Sequence, residues 1–129
     1  MNGFLLVSAG GFVGANLRYG LSVWAARRYG TAFPYGTLIA NLSGSFLIGL
    51  VLGILAGWVT DDRQLRLLLA TGLLGAETTF STYTYESMAL IRQRRIGAAL
   101  ANLIGGAGLG LIAVTVGLLM AYALTDGFR

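Results

Sequence analysis

Four long apolar stretches, separated by short polar connections, constrain this chain more than any other feature of its sequence. They cover roughly residues 4–26, 36–59, 65–91 and 96–123. Each is long enough to cross the hydrocarbon core of a bilayer, which takes about 20 residues of helix. The connections RRYGTAFPY, TDDRQ and RQRR contain most of the charge and leave no room for a second domain. We therefore predict an all-α integral membrane protein whose four transmembrane helices form a single domain over residues 1–129.

The composition favours the same environment. Hydrophobic residues make up 56% of the chain and charged residues 11%, whereas a soluble domain carries about a quarter charged residues. The sequence contains neither Cys nor His, which excludes thiolate and imidazole metal sites and the nucleophile–base pairs that depend on them. We therefore expect no enzyme. The basic residues, all Arg, fall mostly between the apolar stretches rather than on one polar face, so we expect no nucleic-acid partner.

The arginines are divided unevenly between the two ends of the predicted helices. Five lie at the first and third connections and three at the opposite end: Arg27, Arg28, Arg92, Arg94 and Arg95, against Arg63, Arg66 and Arg129. The larger group favours a cytoplasmic position for the first and third connections. The margin is small, as in a protein that inserts in both orientations.

Glycines recur at four-residue spacing, for example at Gly10 and Gly14 and at Gly49 and Gly53. This spacing places bare backbone on one helix face and predicts close helix–helix contact. Four closely packed helices enclose little space, so we expect a conduction path only at a dimer interface.

Several polar residues interrupt the first two apolar stretches. Arg18 either extends to the membrane surface or faces a water-filled vestibule that attracts anions. Asn41 lies one helical turn from both Thr37 and Ser45, so the three share one helix face. A single Asn is often a hydrogen-bonding link between helices, but the stripe of three favours a pore lining.

The third stretch contains the most unusual segment, GAETTFSTYTYE at residues 75–86. Its hydroxyls compete with the helical hydrogen bonds, and together with Gly72 and Gly75 they predict a break in the helix. Carbonyls freed at such a break are natural ligands for a small cation such as sodium. Phe80 and Tyr83 would be neighbours on one helix face. Such a pair is usually packing, but its ring edges carry partial positive charge and can face an anion.

Together these segments resemble the CrcB/Fluc family of fluoride channels. The resemblance rests on GGFVGANLRY (10–19), GTLIANLSGSFLIG (36–49) and TGLLGAETTFSTYTYE (71–86), in this order, and more weakly on ANLIGGAG (101–108). It implies a third helix broken mid-membrane, an antiparallel dual-topology homodimer with two fluoride pores, and a central structural sodium ion. It also implies passive fluoride export across the cell inner (plasma) membrane, which relieves fluoride toxicity.

The resemblance also assigns roles to individual residues. Backbone carbonyls of Gly75 and Thr78 from both subunits would hold the sodium ion, and Arg18 would lie in the vestibule. The fluoride pore would be lined by Asn41, Phe80, Tyr83, Thr37, Ser81, Thr82 and Glu86. A pore-facing carboxylate repels fluoride unless it is protonated or hydrogen-bonded, so we expect Glu86 beside the path or acting as an acid.

The sequence departs from the family pattern at three positions. Tyr83 replaces the usual second Phe, Gly106 stands where a Ser is common, and Glu77 stands where the family commonly has an apolar or small residue. The role of Glu77 stays open between two alternatives: it either lends charge to the sodium site or pairs with an Arg.

Two other functions are compatible with four short membrane helices. A small proton-coupled exporter of cationic drugs would need a carboxylate in the membrane, and Glu77 or Glu86 is a candidate. The expected position for it is in the first stretch, which has Arg18 instead. A membrane scaffold without transport activity would explain the glycines but not the clustered hydroxyls.

Overall fold

A computed structural model describes residues 2–57 and 62–126, and in these ranges the chain forms helices and no strand. The all-α prediction is confirmed for this part of the chain. The end of the second predicted span, Asp61 and Arg129 lie outside the described residues. The elements in chain order are α1 (Gly3–Tyr29), α2 (Tyr35–Gly57), α3 (Arg63–Leu65), a first π-helical segment π1 (Arg66–Leu74), α4 (Gly75–Glu77), α5 (Phe80–Arg92), α6 (Ile96–Leu100), a second π-helical segment π2 (Ala101–Gly105) and α7 (Gly106–Asp126).

Two helical stretches among the described residues are long and apolar enough to cross a membrane. They are Tyr35–Ala56 and the continuous run Ile96–Thr125, which match the second and fourth predicted spans. The first predicted span forms α1, and the third is divided among α3, π1, α4 and α5. That the chain crosses the bilayer four times stays a prediction.

Local signals set the helix ends. Helix α1 stops at Gly30, whose φ of 78° belongs to the left-handed region that favours glycine and whose amide donates to the Ala26 carbonyl. Pro34 immediately precedes α2, a position where its missing amide hydrogen is not needed. Asp62 caps α3, because its side chain accepts hydrogen bonds from the amides of Gln64 and Leu65.

Helix α1 packs against π1 and α4 through its glycines. A Cβ atom at Gly10 would lie 2.1 Å from the Leu68 carbonyl oxygen, and one at Gly14 would lie 1.9 Å from the Leu73 carbonyl oxygen. Only glycine permits this backbone-to-backbone contact. The contact fixes π1 beside α1, and α4 continues directly from π1.

Helix α2 packs against α7 in the same way. A Cβ at Gly49 would lie 2.2 Å from the Val114 carbonyl oxygen, and one at Gly117 would lie 2.1 Å from the Phe46 carbonyl oxygen. Each helix therefore presents a glycine to the backbone of the other.

Much of the outer surface is apolar. The side chains of Phe4, Phe12, Ile104 and Leu111 are each at least 70% exposed. Exposed apolar side chains of this size and number fit a chain surrounded by lipid or by a second copy.

Candidate functional site: an interrupted helix beside an uncharged groove

The helical path that begins with α3 is interrupted at two threonines. Thr78 has φ −78° and ψ 155°, and Thr79 has φ −150° and ψ 119°, so both are extended. Helix α4 ends just before them and α5 begins just after them. The interruption lies inside the segment GAETTFSTYTYE, whereas Gly75 itself is still helical.

Asn41 of α2 holds the interruption in place. The Thr79 amide donates to Asn41 Oδ1 at 2.8 Å, and Asn41 Nδ2 donates to the Thr79 carbonyl at 3.1 Å. The Thr79 side chain caps α5, because its Oγ1 accepts from the Thr82 amide at 3.2 Å. One asparagine and one threonine thus replace the helical hydrogen bonds that the extended residues cannot make.

These two hydrogen bonds free two carbonyls. In a continuous α-helix each amide donates to the carbonyl four residues earlier, so the Thr79 amide would serve Gly75 and the Thr82 amide would serve Thr78. Here the first donates to Asn41 and the second to Thr79. The carbonyls of Gly75 and Thr78, to which the family resemblance assigned the sodium ion, have therefore lost their usual donors.

A groove of about 620 Å³ runs along the interruption. It brings together residues that are far apart in the sequence, including Asn41 and Ser45 of α2, Phe80 and Tyr83 of α5, and Gly106 of α7. Gly75 and Thr78 also line it, and none of the described lining residues is charged. The groove is thus a largely apolar surface with a few convergent donors, as small-ligand sites usually are.

The two aromatic rings of the groove form a tilted pair. The ring centroids of Phe80 and Tyr83 are 6.0 Å apart, with 40° between their planes, and Phe80 is 77% exposed. The Tyr83 hydroxyl donates to the Leu103 carbonyl in π2. A Cβ at Gly106 would lie 3.2 Å from Cε2 of the Tyr83 ring, so the glycine at position 106 leaves room for this ring.

A second, smaller cavity of about 210 Å³ lies between the α1–α2 connection and α5. Thr37 and Glu86 meet there, since Thr37 Oγ1 donates to Glu86 Oε1 at 2.9 Å. The other carboxylate oxygen, Glu86 Oε2, is buried and has no hydrogen-bond partner in the part of the chain that the structure describes. Although Thr37, Asn41 and Ser45 are spaced at one-turn intervals, the structure divides them between this cavity and the groove.

Three other predicted residues line neither of these cavities. Ser81 and Thr82 lie in the first turn of α5 and are exposed, and their hydroxyls are 3.4 Å and 3.0 Å from Thr79 Oγ1. Arg18 is half-buried on α1.

The family model described as CrcB-like protein, Camphor Resistance (CrcB), matches residues 5–118. The chain belongs to the CrcB family. It is similar to proteins named fluoride-specific ion channel FluC in several bacteria. The Chloroflexus aurantiacus protein is 48% identical over 117 residues, which are 91% of this chain and 93% of the relative. The Thermus thermophilus protein is 43% identical over 94% of each chain. The Clostridium perfringens protein is 40% identical over 93% of this chain and 94% of its own.

The match confirms the family assignment made from the sequence motifs. The CrcB relatives are named as ion channels and not as enzymes, in agreement with the expectation that this chain has no catalytic activity.

Two buried contacts of this CrcB chain did not follow from the sequence. Asn102 is fully buried, and its Nδ2 donates to Ser87 Oγ at 2.9 Å, while the Ser87 hydroxyl lies 2.8 Å from the Tyr83 carbonyl. Glu77, whose role the sequence left open, is buried with its Oε1 3.0 Å from Ser43 Oγ. A polar residue inside an apolar stretch was the available signal for both, but it does not name the partner.

Proposed function

We propose that this chain is a fluoride-selective channel that exports fluoride passively across the cell inner (plasma) membrane. The observation that carries the proposal is the groove beside the interrupted helix, which is lined by neutral donors and by no charged residue among those described. The names of the relatives support fluoride as the ion.

The chemistry of the groove suits a small anion. Fluoride holds its water tightly, so a channel must replace the lost hydration with close donors and still release the ion. Asn41 has two amide hydrogens, of which one donates to the Thr79 carbonyl, so the other is available to an anion. The edges of Phe80 and Tyr83 offer partial positive charge. A fixed cation in the groove would hold fluoride too strongly for conduction.

We propose that two copies assemble as an antiparallel homodimer with dual topology and two pores. In a single copy the groove is open on one side, and Phe80 within it is 77% exposed. A second copy would cover this surface and complete the wall of each pore. The small margin in arginine between the two ends is compatible with insertion in both orientations.

We propose that the interruption also holds a structural sodium ion at the centre of the dimer. The carbonyls of Gly75 and Thr78 fit this role because their helical donors are diverted to Asn41 and Thr79. Carbonyl oxygens suit a small hard cation. Two copies would supply four such oxygens, and the bound ion would join the two interrupted helices.

The polar residues outside the groove complete the proposed path. Ser81 and Thr82 would continue the row of hydroxyls along α5, and Thr37 and Glu86 would lie at its end in the smaller cavity. The Thr37 hydroxyl donates to Glu86 and so reduces the repulsion between this carboxylate and a passing anion. Arg18 would attract fluoride into the vestibule.

Fluoride efflux from liposomes reconstituted with the purified protein tests the proposal. We expect rapid, passive efflux that strongly prefers fluoride to chloride, recorded with a fluoride electrode after the potential is clamped with valinomycin. Equal chloride and fluoride fluxes would refute a fluoride channel. Export of ethidium driven by a proton gradient, without fluoride flux, would instead identify the drug exporter.

A further inference from the structure

Glu77 is a buried carboxylate that accepts a hydrogen bond at only one of its two oxygens among the described residues. Its side chain is 3% exposed, and Ser43 is the hydrogen-bond donor that the described residues offer it, at 3.0 Å from Oε1. The second oxygen, Oε2, is buried and has no hydrogen-bond partner within residues 2–57 and 62–126. A buried charge without compensation is strongly destabilising, so an ionised carboxylate at this position needs a cation nearby.

The position of Glu77 in the helix concentrates negative charge further. It is the last residue of α4, and the carboxyl end of a helix carries the negative end of the helix dipole. The next residue is Thr78, whose carbonyl has lost its helical donor, and the freed carbonyl of Gly75 lies two residues earlier. A carboxylate and two freed carbonyl dipoles thus fall within four consecutive residues.

The carboxylate is not placed to bind the ion directly. Gly75 and Thr78 line the groove, whereas Glu77 does not, and its Oε1 lies against Ser43 of α2. A Cβ at Gly14 of α1 would lie 3.1 Å from the Glu77 amide nitrogen, so the residue is enclosed between α1 and α2. Its charge therefore reaches the freed carbonyls through protein of low dielectric constant, where screening is weak.

We infer that the Glu77 carboxylate strengthens cation binding at the Gly75 and Thr78 carbonyls through its electric field. The inference rests on the sodium site of the proposed function. In the dimer each copy contributes one such charge. One charge that acts over about 8 Å at an effective dielectric constant of about 20 changes a binding constant on the order of thirtyfold.

The Glu77→Gln variant tests this inference, because it removes the charge and keeps an oxygen that can accept from Ser43. The thermal stability of the detergent-solubilised dimer is measured while sodium replaces N-methylglucamine at constant ionic strength. Because the variant removes one charge from each copy, we expect the sodium concentration of half-maximal stabilisation to rise by at least about thirtyfold. Glu86→Gln is the matched control, since Glu86 likewise accepts from one hydroxyl and has a buried Oε2 without a partner among the described residues. It should leave this concentration unchanged.

The outcomes separate the inference from the sodium site itself. If sodium does not stabilise the unchanged protein, the proposed sodium site is wrong. If sodium stabilises the unchanged protein and the Glu77→Gln variant has the same sodium concentration of half-maximal stabilisation, the role inferred for Glu77 is overturned. If Glu77→Gln forms no dimer, the same measurement is made on Glu77→Asp, which keeps the carboxylate. A sodium-dependent dimer of the Asp variant supports the role of the charge, and failure of both variants at saturating sodium shows that Glu77 acts only by packing.

Discussion

Replacement of Gly14 by Ala should disrupt the contact on which the interrupted helix rests. The added Cβ would lie 1.9 Å from the Leu73 carbonyl oxygen, whereas an ordinary contact is at 3.4–4 Å. The obstructing atoms are backbone and cannot rotate away, so α1 and π1 must separate by about 1.5 Å. Overpacking of a core costs about 1–3 kcal/mol, and we expect the upper end of this range. The displacement also reaches the Glu77 amide, 3.1 Å from the same Cβ, so fluoride flux should fall as well.

The same helix offers a matched control. A Cβ at Gly20 would meet no atom within 4 Å, so Gly20→Ala should be neutral or slightly stabilising, by about 0.4–1 kcal/mol. Both variants are compared by thermal unfolding of the purified protein and by liposome efflux. A Tm for Gly14→Ala equal to that of Gly20→Ala would refute the contact between α1 and π1.

Three further substitutions probe the groove. Asn41→Asp should lower fluoride flux in the efflux assay by at least about 100-fold. A carboxylate donates neither to fluoride nor to the Thr79 carbonyl, and it repels the anion at close range. A flux within threefold of that of the unchanged protein would show that Asn41 does not line the fluoride path. Tyr83→Phe should keep the fluoride flux, since the ring remains. It should lower the free energy of unfolding by about 1 kcal/mol, because the hydrogen bond to Leu103 is lost. A loss of flux at unchanged stability would instead show that the hydroxyl donates to fluoride. Gly106→Ser should displace the Tyr83 ring by a few tenths of an ångström and lower stability by about 1 kcal/mol, the lower end of the overpacking range. The measurement is the Tm, and an unchanged Tm would show that the ring is not packed on Gly106.

The all-α fold class and the family could be predicted from the sequence because both depend on local sequence patterns. Long apolar stretches predict helices whatever their partners are, and the structure places α2 over Tyr35–Gly57 where the second predicted span begins at 36. The hydroxyl-rich segment predicted a break, and extended residues occur at Thr78 and Thr79.

The hydrogen-bond partners of the polar side chains could not be predicted in this way. One-turn spacing places Thr37 and Asn41 on the same face of α2, yet it does not say that α5 and the α1–α2 connection meet that face at different heights. Thr37 therefore faces Glu86 while Asn41 faces the interruption. Likewise, nothing in the sequence around Glu77 indicates that Ser43 lies opposite it, because this contact joins residues of two different helices.

The reciprocal glycine contacts between α2 and α7 bear on what kind of transport this architecture permits. Gly49 rests against the Val114 carbonyl and Gly117 against the Phe46 carbonyl, so a sliding motion of either helix drives backbone into backbone. Carriers that alternate access rely on such relative motion of helical units. Two such contacts at different heights oppose sliding of α2 against α7, so we expect the two helices to move as one unit. This is what the fixed pathway of the proposed channel requires.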